Sequence, residues 1–156
     1  MLLSNDYSIK EIKKSELKEL AKYFTKYFKE IAINEALNEY EYEYLLKIMF
    51  ENKNRTFFWF LIKNEKCGFA IISLEQNIPN LQIIKGRICE FYIFSNYRNK
   101  KNGIIFANVL FDYLKNKGAS EIIIEVHFEN KKAFNFWEKL GFKIKKYIMN
   151  KYLTIL

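Results

Sequence analysis

Apolar residues recur along this chain in two rhythms, one of about two residues and one of about three and a half. Residues 7–12 (Tyr-Ser-Ile-Lys-Glu-Ile) alternate and predict a first strand. Leu17, Leu20, Ala21, Phe24, Phe28 and Ile31 then repeat at helical spacing behind Ser15, a candidate N-cap. This helix is expected to break or bend around Asn34. A second helix over residues 40–50 follows, with Tyr44 and Ile48 turned inward. Residues 55–63 are a strongly apolar strand, which Asn64 and Glu65 turn into a second run over 68–72, an antiparallel hairpin. Residues 77–80, with Pro79, read as a loop. Ile83 and Ile84 begin another strand, interrupted at Lys85 and Gly86, before the main apolar run reaches Phe94. A helix over 103–117 carries Ile104, Ala107, Phe111 and Leu114 on one face, with Gly118 just past its end. Residues 121–128 read as a strand buried on both faces at 122–124. Asn130 is placed to N-cap a short helix through Leu140, which Gly141 ends. Residues 142–153 alternate loosely and predict one or two final strands.

The resulting order is β-α-α-β-β-β-α-β-α-β. A strand–helix–strand unit with short connections favours a parallel pair, residues 87–94 beside 121–128, while the earlier strands read as antiparallel. The expected fold is an α/β domain whose mixed, mostly antiparallel sheet is flanked by helices. The chain has 156 residues, enough for one domain over 1–156 with a proper core.

Composition narrows the function classes. Half the residues are apolar and 18% are aromatic, which excludes a disordered chain. No apolar run approaches the roughly 20 residues that span a bilayer. Met1, Leu2 and Leu3 give way at once to Ser4, Asn5 and Asp6, so no secretory signal is read. Cys67 and Cys89 lack metal or redox spacing; they read as buried thiols in a reducing cytoplasm, and no metal is expected.

The net charge is +8. It serves either solubility or attraction to an anion: a cofactor pyrophosphate, nucleic acid or an acidic partner. The lysines scatter along the whole chain, and no helix-turn-helix, zinc or RNA-binding signature accompanies them, so nucleic acid ranks last without being excluded. Against this basic background stands an acidic, aromatic island: Glu35, Glu39, Glu41 and Glu43 interleaved with Tyr40, Tyr42 and Tyr44. It is either a solvated helix face or a mouth for a cationic amine, with carboxylates attracting the ammonium and rings covering it. Glu39, Tyr42 and Glu43 are the candidate substrate contacts.

The chemistry concentrates between residues 86 and 142. The apolar run ending at Phe94 leads into a basic loop, Tyr97-Arg98-Asn99-Lys100-Lys101-Asn102-Gly103, and then a helix. A strand, a basic loop and a helix N-terminus together can hold phosphates, because the first helical N–H groups lack intrahelical partners and the dipole favours an anion. Arg98, five residues before Gly103, resembles the start of the R/Q-x-x-G-x-G/A loop of the GNAT N-acetyltransferases. Some thirty residues on, Asn130, Ala133, Phe136, Trp137, Glu138, Lys139, Leu140, Gly141 and Phe142 resemble that family's N-x-x-A-x-x-F-Y-E-K-L-G-F segment. The likeness covers about the last seventy residues; the earlier part fits in its order of elements. Two positions depart from it. Lys101 stands where the family has the loop's first glycine. Trp137 stands where many members have a tyrosine that protonates the leaving thiolate, and an indole N–H is no useful acid at pH 7.

The resemblance implies an acetyl-coenzyme A-dependent N-acetyltransferase in which the cofactor lies between the two parallel strands as they splay apart. The N–H groups of Lys101, Asn102, Gly103 and Ile104 would receive the pyrophosphate, with Arg98 close by. The Ile93 backbone would pair with the pantetheine arm beside Tyr92. Asn130 would hydrogen-bond that arm, and Trp137 would stack near the thioester. Asn130 as a plain cap and Trp137 as core filling remain open. The acceptor attacks as a neutral amine, and Glu90, three residues before Ile93, is the candidate general base; an ion-paired carboxylate at a strand end is its alternative. The proton for the thiolate is open between Tyr92, Tyr147, water and the new ammonium. His127, the lone histidine, lies near the end of the second parallel strand. The favoured acceptor is a small cationic amine. The rivals are a protein or aminoacyl-RNA acetyltransferase, and a non-catalytic module that binds acyl-coenzyme A. The family habit of dimerising points to a possible homodimer through the last strand.

Overall fold

The computed structural model describes residues 6–31, 37–76 and 80–153. The expected bend at Asn34, Glu35 of the acidic island, Pro79 and the first five residues lie outside them. The chain divides into two compact units, Met1–Glu125 and Val126–Leu156.

The first unit runs β1 (Tyr7–Glu11), α1 (Leu17–Ile31), α2 (Glu39–Phe50), β2 (Arg55–Ile62), β3 (Glu65–Gln76), β4 (Ile84–Ile93), α3 (Asn102–Asn116) and β5 (Ala119–Ile124). The five strands form one sheet in sequence order, antiparallel except for the parallel pair β4–β5. This is the mixed, mostly antiparallel α/β sheet that the pattern predicts.

The sheet is apolar on both faces, as the unbroken run over 57–60 requires. Phe57 and Trp59 point into a core with Leu20 and Phe24 of α1 and Tyr42 and Leu46 of α2. Phe58 and Phe60 turn the other way, onto α3: Phe60 stacks on Phe106 at 4.4 Å and Phe58 meets Tyr113 edge-on at 5.0 Å. The β2–β3 hairpin closes through Lys63 and Asn64, both with positive φ (50° and 66°), the backbone a two-residue turn needs to match strand twist.

Several local expectations change. Ser15 is not the cap of α1; it sits inside a 3-10 turn over Lys14–Glu16, where the Lys13 N–H donates to Glu16 Oε2 at 3.0 Å. Helix α2 is rotated from its predicted phase. Tyr42 and Leu46, four apart, take the inward face, and Tyr44 and Ile48 are exposed. On α3 the buried face is Phe106, Ala107, Leu110 and Leu114, and Ile104 is exposed. Lys85 and Gly86 do not interrupt β4. A Cβ on Gly86 would stand 3.0 Å from a Leu114 methyl, so the glycine lets α3 lie close on a continuous strand. Strand β5 begins at Ala119, ends at Ile124 and is only half-buried there.

The second unit contains α4 (Lys131–Lys139), capped by Asn130 Oδ1 accepting from the Ala133 N–H at 3.1 Å and ended by Gly141 at φ 92°. Residues 142–153 form no strand. Ile144, Tyr147 and Ile148 are exposed there, so the alternation has no burial to enforce it. Among the described residues no helix is long and apolar enough to cross a membrane.

Candidate active site

The site is built where the parallel pair ends. Strands β4 and β5 pair from Ile84↔Ala119 to Ile88↔Ile124 and no further, although β4 continues to Ile93. At the same point β4 shifts register against β3: Ile72 faces Ile88, Ile71 faces Glu90, and Cys89 is the extra residue. Such a bulge re-aims the side chains beyond it. Here it turns Glu90 and Tyr92 toward α1 while Phe91 packs on Phe60 behind the sheet.

Helix α1 meets this segment with Tyr23, Tyr27 and Glu30, spaced i, i+4, i+7 along one face. Tyr23 stacks on Phe94 at 4.2 Å. Tyr27 lies against Tyr92, with its hydroxyl close to the Glu90 carboxylate. Burial pushes Glu90 up to about 7, against the opposing pull of the Tyr27 hydrogen bond and the Arg55 charge. Burial, with the Glu90 charge behind it, raises Tyr27 as well and keeps it protonated. A carboxyl group poised near neutrality at the mouth of a strand gap is suited to exchanging protons at physiological pH.

Glu30 organises the other end. Tyr92 donates to its Oε1 at 2.6 Å, and Arg98 Nη2 pairs with its Oε2 at 2.8 Å. Arg98 Nε also donates to the Ile93 carbonyl at 2.8 Å, and the guanidinium lies 5.0 Å over the Tyr92 ring. Arg98 therefore clips the basic loop to both β4 and α1. The Ile93 carbonyl, expected to face a pantetheine arm, is engaged by this arginine. Tyr92 is held up at about 12, by burial first and then by the Glu30 carboxylate. A phenol so held is a weaker acid than an ordinary tyrosine.

The loop itself is strained where the sequence departs from glycine. Lys101 has φ 62° and ψ 1°, left-handed, and Asn99 has φ 60°. Asn tolerates this region; a lysine there costs about 1–2 kcal/mol. The next residue anchors the start of the helix. Buried Asn102 accepts from the Tyr7 hydroxyl at 3.1 Å and donates Nδ2 to the Tyr97 carbonyl at 2.7 Å. The first turn of α3 thus starts at Asn102, Gly103 and Ile104, with Ile105 the first to bond back, to the Lys101 carbonyl. We expect Lys101→Gly to raise stability by about 0.5–1 kcal/mol, the relieved strain less the added unfolded-state entropy. Urea unfolding checks this, and a loss of stability contradicts it.

Other sequence candidates fall elsewhere. Within the acidic island, Tyr42 is core: it stacks on Phe28 at 5.2 Å and its hydroxyl accepts from the Leu37 N–H at 3.2 Å. Glu41 closes a capping box with Asn38, and Glu43 pairs with Lys47 at 2.7 Å. Glu39, Tyr40 and Tyr44 stay exposed. In the second unit, Asn130 is a cap, Trp137 is buried edge-on to Phe136 and Phe142, and His127 is exposed beside Glu129. Cys67 is buried and pushed up to about 12, an inert thiol. Among the described residues no three His, Cys, Asp or Glu side chains gather to hold a metal. Sequence reasoning missed Tyr27 and Glu30. The repeat of Tyr23, Tyr27 and Glu30, polar-tipped residues on one stripe beside the apolar face, was the available signal.

Known proteins share both sequence and fold with this chain. It is 27% identical over 122 residues to N-alpha-acetyltransferase 30 of Schizosaccharomyces pombe, an overlap of 78% of this chain and 77% of that one. The crystal structure of a possible acetyltransferase from Clostridium difficile 630 superposes with a TM-score of 0.75 at 21% identity, over 97% of this chain and all of the other. An aminoglycoside acetyltransferase from a soil metagenomic sample gives 0.69 at 14% identity, over 98% and 99%. The sequence profile of the acetyltransferase (GNAT) family matches residues 17–142, most of the chain. The chain belongs to the acetyltransferase (GNAT) family.

Proposed function

We propose that this chain transfers the acetyl group of acetyl-coenzyme A to the primary amine of a small acceptor, with Glu90 as general base. The observation that carries the reading is Glu90 itself: largely covered, near neutrality, and placed where β4 loses its β5 partner. The amine nitrogen attacks the thioester carbon, the C–N bond forms and the C–S bond breaks. Glu90 takes one proton from the incoming ammonium before attack, and the departing thiolate takes up a proton from water or, once the C–N bond has formed, the second proton that the new ammonium sheds. The family uses acetyl-coenzyme A as co-substrate, and the basic loop fits it. The N–H groups that open α3 would take the pyrophosphate, with Lys100 and Lys101 adding charge. In this reading Asn130 and Trp137 serve the cofactor arm, and the two compact units act as one acetyltransferase domain. The family match, which runs across both units, supports that.

A small cationic amine is the favoured acceptor, supported by exposed Glu39 with the rings of Tyr40 and Tyr44. The likeness to an N-alpha-acetyltransferase favours a second reading, a peptide N-terminus. The test is release of coenzyme A thiol from acetyl-coenzyme A over polyamines, aminoglycosides, amino acids and peptides with free N-termini. Amine-dependent release is expected. Release with none of them contradicts the transfer reading.

A further inference from the structure

The place where β4 and β5 part is hollow. A cavity of about 330 Å³ opens there, within the first compact unit. Ile88, the last β4 residue paired with β5, lines it, as do Cys89 and Glu125, the first residues beyond the pairing. Glu90 is the next residue along. The cavity is therefore positioned for the acceptor, and its wall is charged in both senses.

Arg87 is fully engaged: Nε and Nη2 on Glu75 at 3.0 and 3.5 Å, Nη1 on Glu125 at 2.8 Å. Arg55, the first residue of β2, also lines the cavity and forms no ion pair within 4 Å among the described residues. Its charge reaches Glu75 and Glu90 from a distance. Its planar fork of five N–H donors matches a carboxylate in geometry and sign. A polycation entering this cavity would meet two guanidinium groups. A plain apolar amine would leave Arg55 without a partner from the ligand.

We propose that this cavity is the acceptor pocket, and that the acceptor is an amine that also bears a carboxylate, an amino-acid-type molecule. The carboxylate sits on Arg55 and the amine turns toward Glu90. The proposal rests on the acetyl-transfer reading and sets an amino-acid-type acceptor in this cavity against the cationic amine favoured above at Glu39, Tyr40 and Tyr44.

Binding can be measured without turnover. Thermal unfolding is followed with each of the twenty standard L-amino acids, ornithine and β-alanine, each beside the matched amine that lacks the carboxylate. At ten times its dissociation constant a true ligand raises the melting temperature by about 3–5 °C. The expected result is such a rise with at least one amino acid, a much smaller one with its matched amine, and none with that amino acid in Arg55→Met. Arg55→Lys, which keeps the charge without the fork, is expected to restore part of it. The proposal is overturned if no amino acid stabilises, if the matched amine does so equally, or if Arg55→Met keeps the full rise. Acetyl-coenzyme A is titrated in parallel. A shift with it but with no amino acid sinks the pocket and leaves the transfer reading standing; the reverse sinks the transfer reading and keeps the pocket.

Discussion

Replacing Glu90 with glutamine is expected to lower turnover with a lysine-like amine by about 10²–10⁴-fold and, at the same time, to make the protein more stable at pH 8. The kinetic part follows from the acceptor. An amine of pKa near 10.4 is neutral in only about one molecule in 2,500 at pH 7, worth roughly 4.6 kcal/mol, so a base beside it matters. An α-amine near 7.7–8.0 depends on the base far less. A general base works deprotonated, so with Glu90 in that proposed role wild-type kcat/KM should rise with pH through about 7. In Glu90→Gln that limb should vanish, leaving only the rise set by the amine. The stability part follows from the same shift, with the opposite sign. The folded protein holds Glu90 near 7 against an ordinary 4.5. Folding therefore favours the protonated form. That contribution is complete below the unfolded value and is lost as pH rises through 4.5 to 7. Above the window the buried charge costs about 3 kcal/mol, which a neutral glutamine avoids. The two proteins should unfold alike near pH 4.5 and diverge toward pH 8. Unchanged turnover would take Glu90 out of the mechanism; unchanged stability at pH 8 would mean that its charge is not held from water.

Gly68→Ala is expected to cost about 2–3 kcal/mol or more of unfolding free energy. Gly68 lies on β3 opposite Ile93, in the buried middle of the sheet. A Cβ there would stand 2.3 Å from the Tyr92 carbonyl oxygen and 3.2 Å from the Ile93 Cα. Both obstacles are backbone, so β3 and β4 must move apart at the segment that carries the site. Gly86→Ala is the control. Its nearest neighbours would be the two methyls and Cγ of buried Leu114, at 3.0–3.3 Å, side-chain atoms rather than backbone. A cost nearer 1 kcal/mol is expected there. Equal costs in urea unfolding would show that the backbone approach at Gly68 is not what decides.

Much of this was legible in the chain itself. The apolar run over 55–63 reads as a strand, and it is one, while the two-faced burial expected at 122–124 is found instead at 57–60. The order of elements through α4 and the parallel pair follow from local pattern, and the resemblance, which implies a glycine where Lys101 stands, marks the residue found left-handed. What the sequence could not carry is the pairing of distant groups. Glu30 looks like one more charge on an amphipathic helix, yet it holds Arg98, 68 residues on, and Tyr92. The phase of α2 was misread because Tyr42 and Tyr44 are chemically alike, and only packing against Phe28 decides which is buried. The register shift at Cys89, which turns Glu90 toward Tyr27, depends on a neighbouring strand and leaves no mark in composition.

The most direct test of the account is a thermal-shift titration with acetyl-coenzyme A. At one hundred times the dissociation constant a bound ligand stabilises by about 2.7 kcal/mol, or roughly 5–10 °C in a chain of this size. The account predicts that rise, reduced in Arg98→Ala, where the clip between the loop, β4 and α1 is gone. No rise at saturating concentration would contradict it: the loop that Lys101 strains would then hold no pyrophosphate, and Glu90 would have no thioester to serve.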